Sequence, residues 1–465
     1  MMLALAKSYG RALELLHEIR SAGKEDADAL FNMGVCQREL GDIGSAAQTF
    51  KDYTDRFPGH SDGWTNLADC QLQLGKFDEG VRSADRAIKL APDLASLRVT
   101  RGDVFQRLGR LQEAVADYKA ALKLTPTDDE TLKKASLCLL QLDQGSQAIE
   151  LCRDILRTHP EMLTARIGAD WVLSKLVPYW HIPMMNEQER NQAYYAGLES
   201  VVTPEKVVFE IGTGSGLLAM MAARLGAKKV YSCEAVGLVA ETARKIVARN
   251  NYQDQITILA KSSQTVQLEK DLPARADILV HEIFSSELLG EHVLPAIEDA
   301  KQRLLRPGGE VLPSAASIMI ALVSGDDLGK SLHVAESFGF DLRDFNAIHP
   351  RKRPLYREDL APVLLSDGIE AFRFDIYREA TFPGARKVIE ITARKEGLCY
   401  GVIQWLRIEL NRDVHYENHP SQRRSISNWQ HTIYGFDEPM HLDAGSIVSV
   451  TATHDRSRSW FELAA

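Results

Sequence analysis

Val207-Val208-Phe209-Glu210-Ile211-Gly212-Thr213-Gly214-Ser215-Gly216 is the stretch on which the fold turns. Its first half is a continuous apolar run of strand length, and its glycines open a small-residue helix, Leu217–Leu225. A second strand, Lys229–Cys233, ends at Glu234. Together these form a βαβ unit. The glycines let backbone N–H groups approach a ligand, and the acid after the second strand is placed to take ribose hydroxyls. Two details narrow the ligand. Leu217 stands where a dinucleotide fingerprint has its third glycine, and Glu210 lies two residues before the first glycine. Both point to S-adenosylmethionine, which has an amino acid and a ribose but no pyrophosphate, over a nicotinamide or flavin cofactor.

Downstream, helix Val239–Asn250, strands Gln255–Leu259 and Asp277–His281, helix Pro295–Leu304 and the turn Arg306–Gly309 continue the alternation of a Rossmann-like α/β domain. Ligands of such sheets bind beyond the carboxyl ends of the strands, where His281 and Glu282 fall. The loop that follows, Glu282-Ile283-Phe284-Ser285-Ser286-Glu287-Leu288-Leu289-Gly290-Glu291, is apolar around its acids. Most loop glutamates are simply solvated. An acid leaving a buried strand into a ligand crevice is not, and Glu282 and Glu291 together would repel unless a cation lay between them. A planar guanidinium, with its fork of N–H donors, suits two carboxylates. His281-Glu282 begins like a zinc-protease motif, but Ser285 stands where the second ligand belongs, so no metal is expected. From Val311 the pattern becomes alternating strands, Ala316–Val323, Ala371–Ile376, Lys387–Thr392, Tyr400–Leu410 and Ile447–Thr453, as in an antiparallel barrel or sandwich.

Upstream the chain repeats. Pro58, Pro92, Pro126 and Pro160 lie 34 residues apart, as do Leu40, Leu74, Leu108 and Leu142, and Gly41, Gly75 and Gly109. Small residues recur in phase at Gly34, Ala68 and Gly102 and at Ala46, Gly80, Ala114 and Ala148. This is the tetratricopeptide period, in which small residues allow helices to cross closely and proline ends the second helix. Tyr9–Ala22 is the second helix of a truncated first repeat, and the fourth full repeat has Asp143 at its turn in place of glycine. Such an array offers a concave surface to protein or peptide.

The 465 residues allow about three domains, and 45% hydrophobic with 26% charged residues excludes a disordered or fibrous chain. The longest uncharged run, Val311–Gly325, is fifteen residues and holds a proline, too short for a membrane helix of roughly 20 apolar residues. Six scattered cysteines without a CxxC pair suit a reducing, cytoplasmic setting; a nuclear address stays open without a clear signal, Arg351-Lys352-Arg353 reading as three solvated charges in a loop. A net charge of −9 disfavours nucleic acid and attracts basic polypeptides.

Glu282 and Glu291, nine residues apart, resemble the double-glutamate loop of the protein arginine methyltransferases. Glu210–Gly216 resembles that family's cofactor loop, and Trp180-His181-Ile182-Pro183-Met184-Met185-Asn186-Glu187-Gln188-Glu189-Arg190-Asn191 its segment folding over the cofactor. The resemblance implies Glu282 and Glu291 as the catalytic clamp. It implies His181, Arg190, Glu210, Gly212, Gly214, Glu234, Ser263 and Gln264 as cofactor ligands, and Met184, Val293 and Trp429 as lining of the arginine pocket. Asn428-Trp429 resembles the family's threonine-histidine-tryptophan loop with asparagine in place of histidine, and Trp171–Lys175 stands where a paired-aromatic motif is usual. Phe338 to about Leu360 resembles its dimerisation arm, which implies a homodimer. The expected architecture is a tetratricopeptide array over 1–162, an S-adenosylmethionine-binding Rossmann-like domain over 163–312, and an antiparallel β-barrel over 313–465 carrying the arm at about 328–360. The expected activity is methyl transfer to arginine of a protein recruited by the repeats. The alternatives are an inactive scaffold with the same fold and a methyltransferase of small molecules.

Overall fold

The computed structural model describes residues 8–24, 26–290, 292–355, 362–422 and 429–464. The chain divides after Leu176 into two compact units. In the first, helix pairs follow the 34-residue period: Ala27–Glu39 with Ile43–Arg56, Ser61–Gln73 with Phe77–Leu90, Ala95–Arg107 with Leu111–Leu124, and Asp129–Gln141 with Gly145–Thr158. The in-phase small residues act as expected. A Cβ on Gly34 would lie 2.8 Å from the Phe50 ring, and one on Gly102 would lie 2.6 Å from the Tyr118 ring. At the turns Gly41, Gly75 and Gly109 take positive φ, and Asp143 takes φ 56° at the same place in the fourth repeat. Aspartate tolerates the left-handed region better than most residues, so the turn survives the loss of its glycine.

The first compact unit runs past 162, where the repeat array is expected to end, as far as Leu176. A further helix, Leu163–Leu176, belongs to the first unit and buries Ala165 and Val172. It packs so closely on the preceding helix that a Cβ on Gly145 would fall 2.2 Å from a Leu176 methyl. The last repeat exposes an apolar face that some element must cap. Leu163–Leu176, which starts one period after Asp129–Gln141, does so in the place of a further repeat's first helix.

The second unit opens with a parallel sheet of β1 (Val207–Ile211), β2 (Lys229–Cys233), β3 (Ile256–Leu259), β4 (Ala276–His281) and β5 (Leu305–Leu312), in the order β3-β2-β1-β4-β5. The strand order reverses between β1 and β4, which makes their carboxyl ends the ligand crevice of a doubly wound sheet. The expected turn Arg306–Gly309 is instead a bulge within β5, whose pairing with β4 shifts register between Ala276 and Ile278 and then resumes. After β5 comes β6 (Ala315–Ser324), buried along nearly its whole length. It centres an antiparallel sheet with strands 352–354, 363–364, 369–374, 397–409, 415–417 and 432–442. Strands 385–392, 447–454 and 459–463 form a second antiparallel sheet. One apolar core runs from Val208 and Ile278 in the parallel sheet to Phe372, Val450 and Phe461 in the antiparallel region, so these two parts share an interior. Among the described residues no helix is long and apolar enough to cross a membrane.

Candidate functional site

The site grows from the ends of β1 and β4. After β1 the chain turns sharply, and the N–H groups of Gly212 and Thr213 both donate to the Cys233 carbonyl, at 3.0 and 3.1 Å. Gly212 has φ 82°, and a Cβ there would sit 2.7 Å from Cγ2 of Ile283 in the loop after β4. The glycine turn and the acid loop therefore touch, and only glycine lets them. Glu234 ties the turn down: one carboxylate oxygen accepts from Gly214 N–H and the other from Val236 N–H, both at 3.0 Å. Nothing lies within 4 Å of where a Gly214 Cβ would be, so the turn keeps open space on its outer side.

Glu210 lies beneath the turn, 1% exposed. The Ser232 hydroxyl donates to its Oε2, and Thr213 and Ser232 share a hydrogen bond of 2.5 Å. Burial pushes this carboxyl up to about 8, with the nearby Glu234 charge adding to the rise and the Ser232 bond opposing it. It supports the turn from below. His281, the last residue of β4, is fully buried with its ring edge-on to Phe284 at 5.1 Å. Burial pulls its imidazole down to about 3, so it is neutral at ordinary pH.

Glu282 emerges beside it, and its Oε2 lies 2.9 Å from Nη1 of Arg190, with both side chains almost wholly buried. Arg190 comes from the helix Gln188–Glu199, and its Nη2 donates to the Met184 carbonyl and the Asn191 side chain at 3.2 and 2.9 Å. The guanidinium lies 5.8 Å from the Tyr194 ring, and the Tyr194 hydroxyl donates to the His281 carbonyl at 3.1 Å. One helix face thus clamps both the strand end and its acid. A carboxylate that holds a buried guanidinium is matched to guanidinium chemistry.

The loop after Glu282 is held from the antiparallel region. Trp429 Nε1 donates to the Phe284 carbonyl, and Gln430 N–H to the Ser286 hydroxyl, both at 3.0 Å. Inside the loop, Ser285 Oγ accepts from the N–H of Glu287 at 3.3 Å and of Gly290 at 3.0 Å. Leu288 and Leu289 are fully buried.

Of the residues singled out by sequence, the structure brings together Arg190, Met184 and Glu282 in one group, and Glu210, Gly212, Gly214 and Glu234 in the adjoining turn. Trp429 is 1% exposed and sits behind the acid loop. Val293 is 0% exposed, inside the core at the start of helix Val293–Arg303, so it has no free wall to offer a pocket. His181 bonds the Pro178 carbonyl at 3.0 Å and stacks on Trp180 at 4.0 Å, both local contacts. Ser263 is buried, with its carbonyl accepting from Arg303, whereas Gln264 is exposed and accepts from the Ser262 hydroxyl. Glu291, Asn428 and the end of the arm-like segment at 356–360 lie outside the described residues. Sequence reasoning passed over Tyr194, although it lies one helical turn from Arg190. It also missed Glu187, buried and accepting from the Tyr416 hydroxyl. No local pattern marks that contact, because its partners come from opposite ends of the unit.

Comparison with known proteins agrees with this architecture. Residues 6–61, 37–95, 65–129 and 99–162 match a family described as Tetratricopeptide repeat, and residues 194–315 one described as Ribosomal protein L11 methyltransferase (PrmA). Among solved structures, the Trypanosoma brucei PRMT1 enzyme-prozyme heterotetrameric complex with AdoHcy shares the fold at a TM-score of 0.52 and 21% identity, over 59% of this chain and 89% of that one. Protein arginine N-methyltransferase 7 of Cricetulus longicaudatus is 28% identical over 312 residues, 60% of this chain but 45% of that protein. This chain therefore spans less than half of that relative's length. An Arginine N(omega)-methyltransferase of Streptomyces achromogenes subsp. streptozoticus is 33% identical over 328 residues, 70% of this chain and 90% of that protein. A likeness of 33% identity that runs through 90% of a named relative settles the kinship: the chain belongs to the arginine N-methyltransferase family.

Proposed function

We propose that this protein transfers methyl groups from S-adenosylmethionine to guanidinium nitrogens of arginine in protein substrates. The observation that carries the reading is the buried Glu282–Arg190 contact of 2.9 Å at the carboxyl end of β4. It shows a carboxylate in the crevice already engaged with a guanidinium. The glycine turn fits the cofactor on its own geometry: Gly212 and Gly214 keep positive φ, and the space beside Gly214 is open. Gly212, Gly214, Glu234, Ser263 and Gln264 would hold its nucleoside end, and Arg190 and His181 its amino-acid carboxylate. When bound, it supplies a methyl group made electrophilic by a sulfonium.

The chain's own task is to make a nucleophile of a group that stays protonated in water. Glu282, with Glu291 as the second acid, would hold the guanidinium through charge-assisted bonds and draw its positive charge toward one nitrogen. The other terminal nitrogen is left richer in electrons and aimed at the methyl. Buried walls from Tyr194, Phe284 and Trp429 keep water away, so these charges act at full strength. Alignment in such a pocket supplies several kcal/mol of the barrier. Met184 and Trp429 remain the pocket candidates. The array would recruit the protein substrate, the arm would pair two copies, and the scattered, buried cysteines suit the cytoplasm.

A second reading is favoured by one observation. The relative matched over 90% of its length is named for arginine, without the word protein. The experiment is transfer of labelled methyl to an arginine- and glycine-rich peptide and, in parallel, to free arginine. Peptide labelling, abolished at least about 100-fold by Glu282→Gln with cofactor binding intact, is the expected result. Labelling of free arginine alone would move the function to small molecules. Cofactor binding without any transfer would make the chain a scaffold.

A further inference from the structure

The acid loop is an expensive piece of backbone. Leu288 has φ 73°, a left-handed conformation that a bulky side chain adopts only at a cost its surroundings must offset. The loop carries several carboxylates within ten residues, and their mutual repulsion works against a closed conformation. Something outside it must hold it. Past its first residue, which Arg190 holds, two of the anchors, from Trp429 and Gln430, are neutral hydrogen bonds to Phe284 and Ser286. The third is ionic and sits further along: Lys352 Nζ contacts the Glu287 carboxylate at 2.5 Å.

Lys352 is itself fixed. It lies on strand Lys352–Pro354, which pairs antiparallel with strand Thr432–Leu442 so that Lys352 stands opposite Tyr434. Its ammonium also donates to the Ser459 carbonyl at 3.2 Å and sits 5.3 Å from the centre of the Tyr434 ring. Tyr434 is in turn bonded to Gln404 and Ser459, all buried. The adjacent Arg353 binds the carbonyl and hydroxyl of Ser331, where the arm-like segment begins. Asn346 closes that segment on itself by a pair of 2.9 Å bonds with the backbone of Val334. The lysine is therefore the rigid end of a lever whose other end is the arm, and it grips the loop midway between the two glutamates.

Resting on the transfer reading above, we infer that Lys352 is a positioning residue for the double-glutamate loop, acting through Glu287. Its charge sets where the loop closes, and so how the clamp meets a guanidinium. It touches neither cofactor nor substrate. Displacement of a catalytic group by about 1 Å can cost a hundredfold in rate, so loss of the pair should lower turnover and leave cofactor affinity alone.

The test uses the full chain with S-adenosylmethionine present and three measurements: cofactor affinity by calorimetry, kcat and KM for an arginine peptide, and amide hydrogen exchange across 283–290. Lys352→Met, which keeps the stem and removes the charge, should cut kcat about tenfold or more. It should leave cofactor affinity within about twofold and speed exchange at Glu287 and Gly290. Lys352→Arg should restore most of the rate. Glu287→Gln should reproduce the defect, and the double variant should be no worse than either single one, as for partners in one interaction. Normal kcat with normal exchange in Lys352→Met, or additive losses in the double variant, overturns the inference. If the wild-type chain transfers nothing to arginine, the functional reading fails, while the exchange measurement still decides the role of Lys352. If Lys352→Met does not fold, Glu287→Gln decides it from the loop side.

Discussion

Glu210 carries a carboxyl that burial holds near a pKa of about 8, far above the 4.5 of a solvated glutamate. Its stabilising effect belongs to the neutral form. It is fully present below about 4.5 and is lost as pH rises through about 8, because the unfolded chain gives up its proton far more readily. His281 acts in the opposite direction: an imidazole lowered to about 3 takes its proton only on unfolding, so stability falls as pH drops from 6.5 toward 3. Melting temperatures of Glu210→Gln and wild type should diverge in favour of the variant from pH 5 to pH 9. A constant difference across that range would show that Glu210 is ionised in the fold. At this scale much of the candidate site's placement was legible. Glu210, Glu234 and Glu282 could be found because acids at strand ends stand out against apolar runs. The Lys352–Glu287 pair could not, because its partners lie 65 residues apart and meet only after the antiparallel strands have paired.

Among the elements, the glycine turn tolerates little change at Gly212. Gly212→Val combines a backbone with φ 82° and a side chain that would meet Ile283 at 2.7 Å or closer, so it should cost cofactor binding and loosen the acid loop together. Gly214→Ala is the control. It carries φ 51° but meets nothing within 4 Å, so strain of roughly 1–2 kcal/mol is its main cost. Calorimetry separates them: loss of binding in the first and a modest loss in the second is expected, and equal losses would mean that contact with Ile283 does not matter. The helical repeat was visible in sequence because glycine, alanine and proline recur in phase, and even the altered turn at Asp143 kept its conformation. The helix Leu163–Leu176 was not: it starts one period after Asp129–Gln141, but it follows the last in-phase proline and has Asp170 where Gly34, Ala68 and Gly102 recur. The bulge in β5 was hidden for a related reason, because proline and two glycines look like a turn wherever they occur.

For the whole molecule, the arm-like segment gives the clearest expectation. Phe338 is 100% exposed, Phe340 69%, Phe345 65% and Ile348 73%, on a segment braced by Asn346 and Arg353. A braced segment with that much apolar surface is built to be covered. Pairing of two copies, as proposed above, covers it twice by symmetry. Light scattering at micromolar concentration should give a dimer, and Phe340→Asp with Leu342→Asp should give a monomer with weakened cofactor binding. A fully active monomeric wild type would remove the idea. The same four side chains also bear on the life of the chain in a cell. A single copy fresh from synthesis displays what chaperones recognise on unfinished proteins, and it displays it even when correctly folded. If two copies pair as proposed, its abundance would be governed by how soon it meets a companion as well as by how fast it is made, and low expression would be penalised more than in proportion.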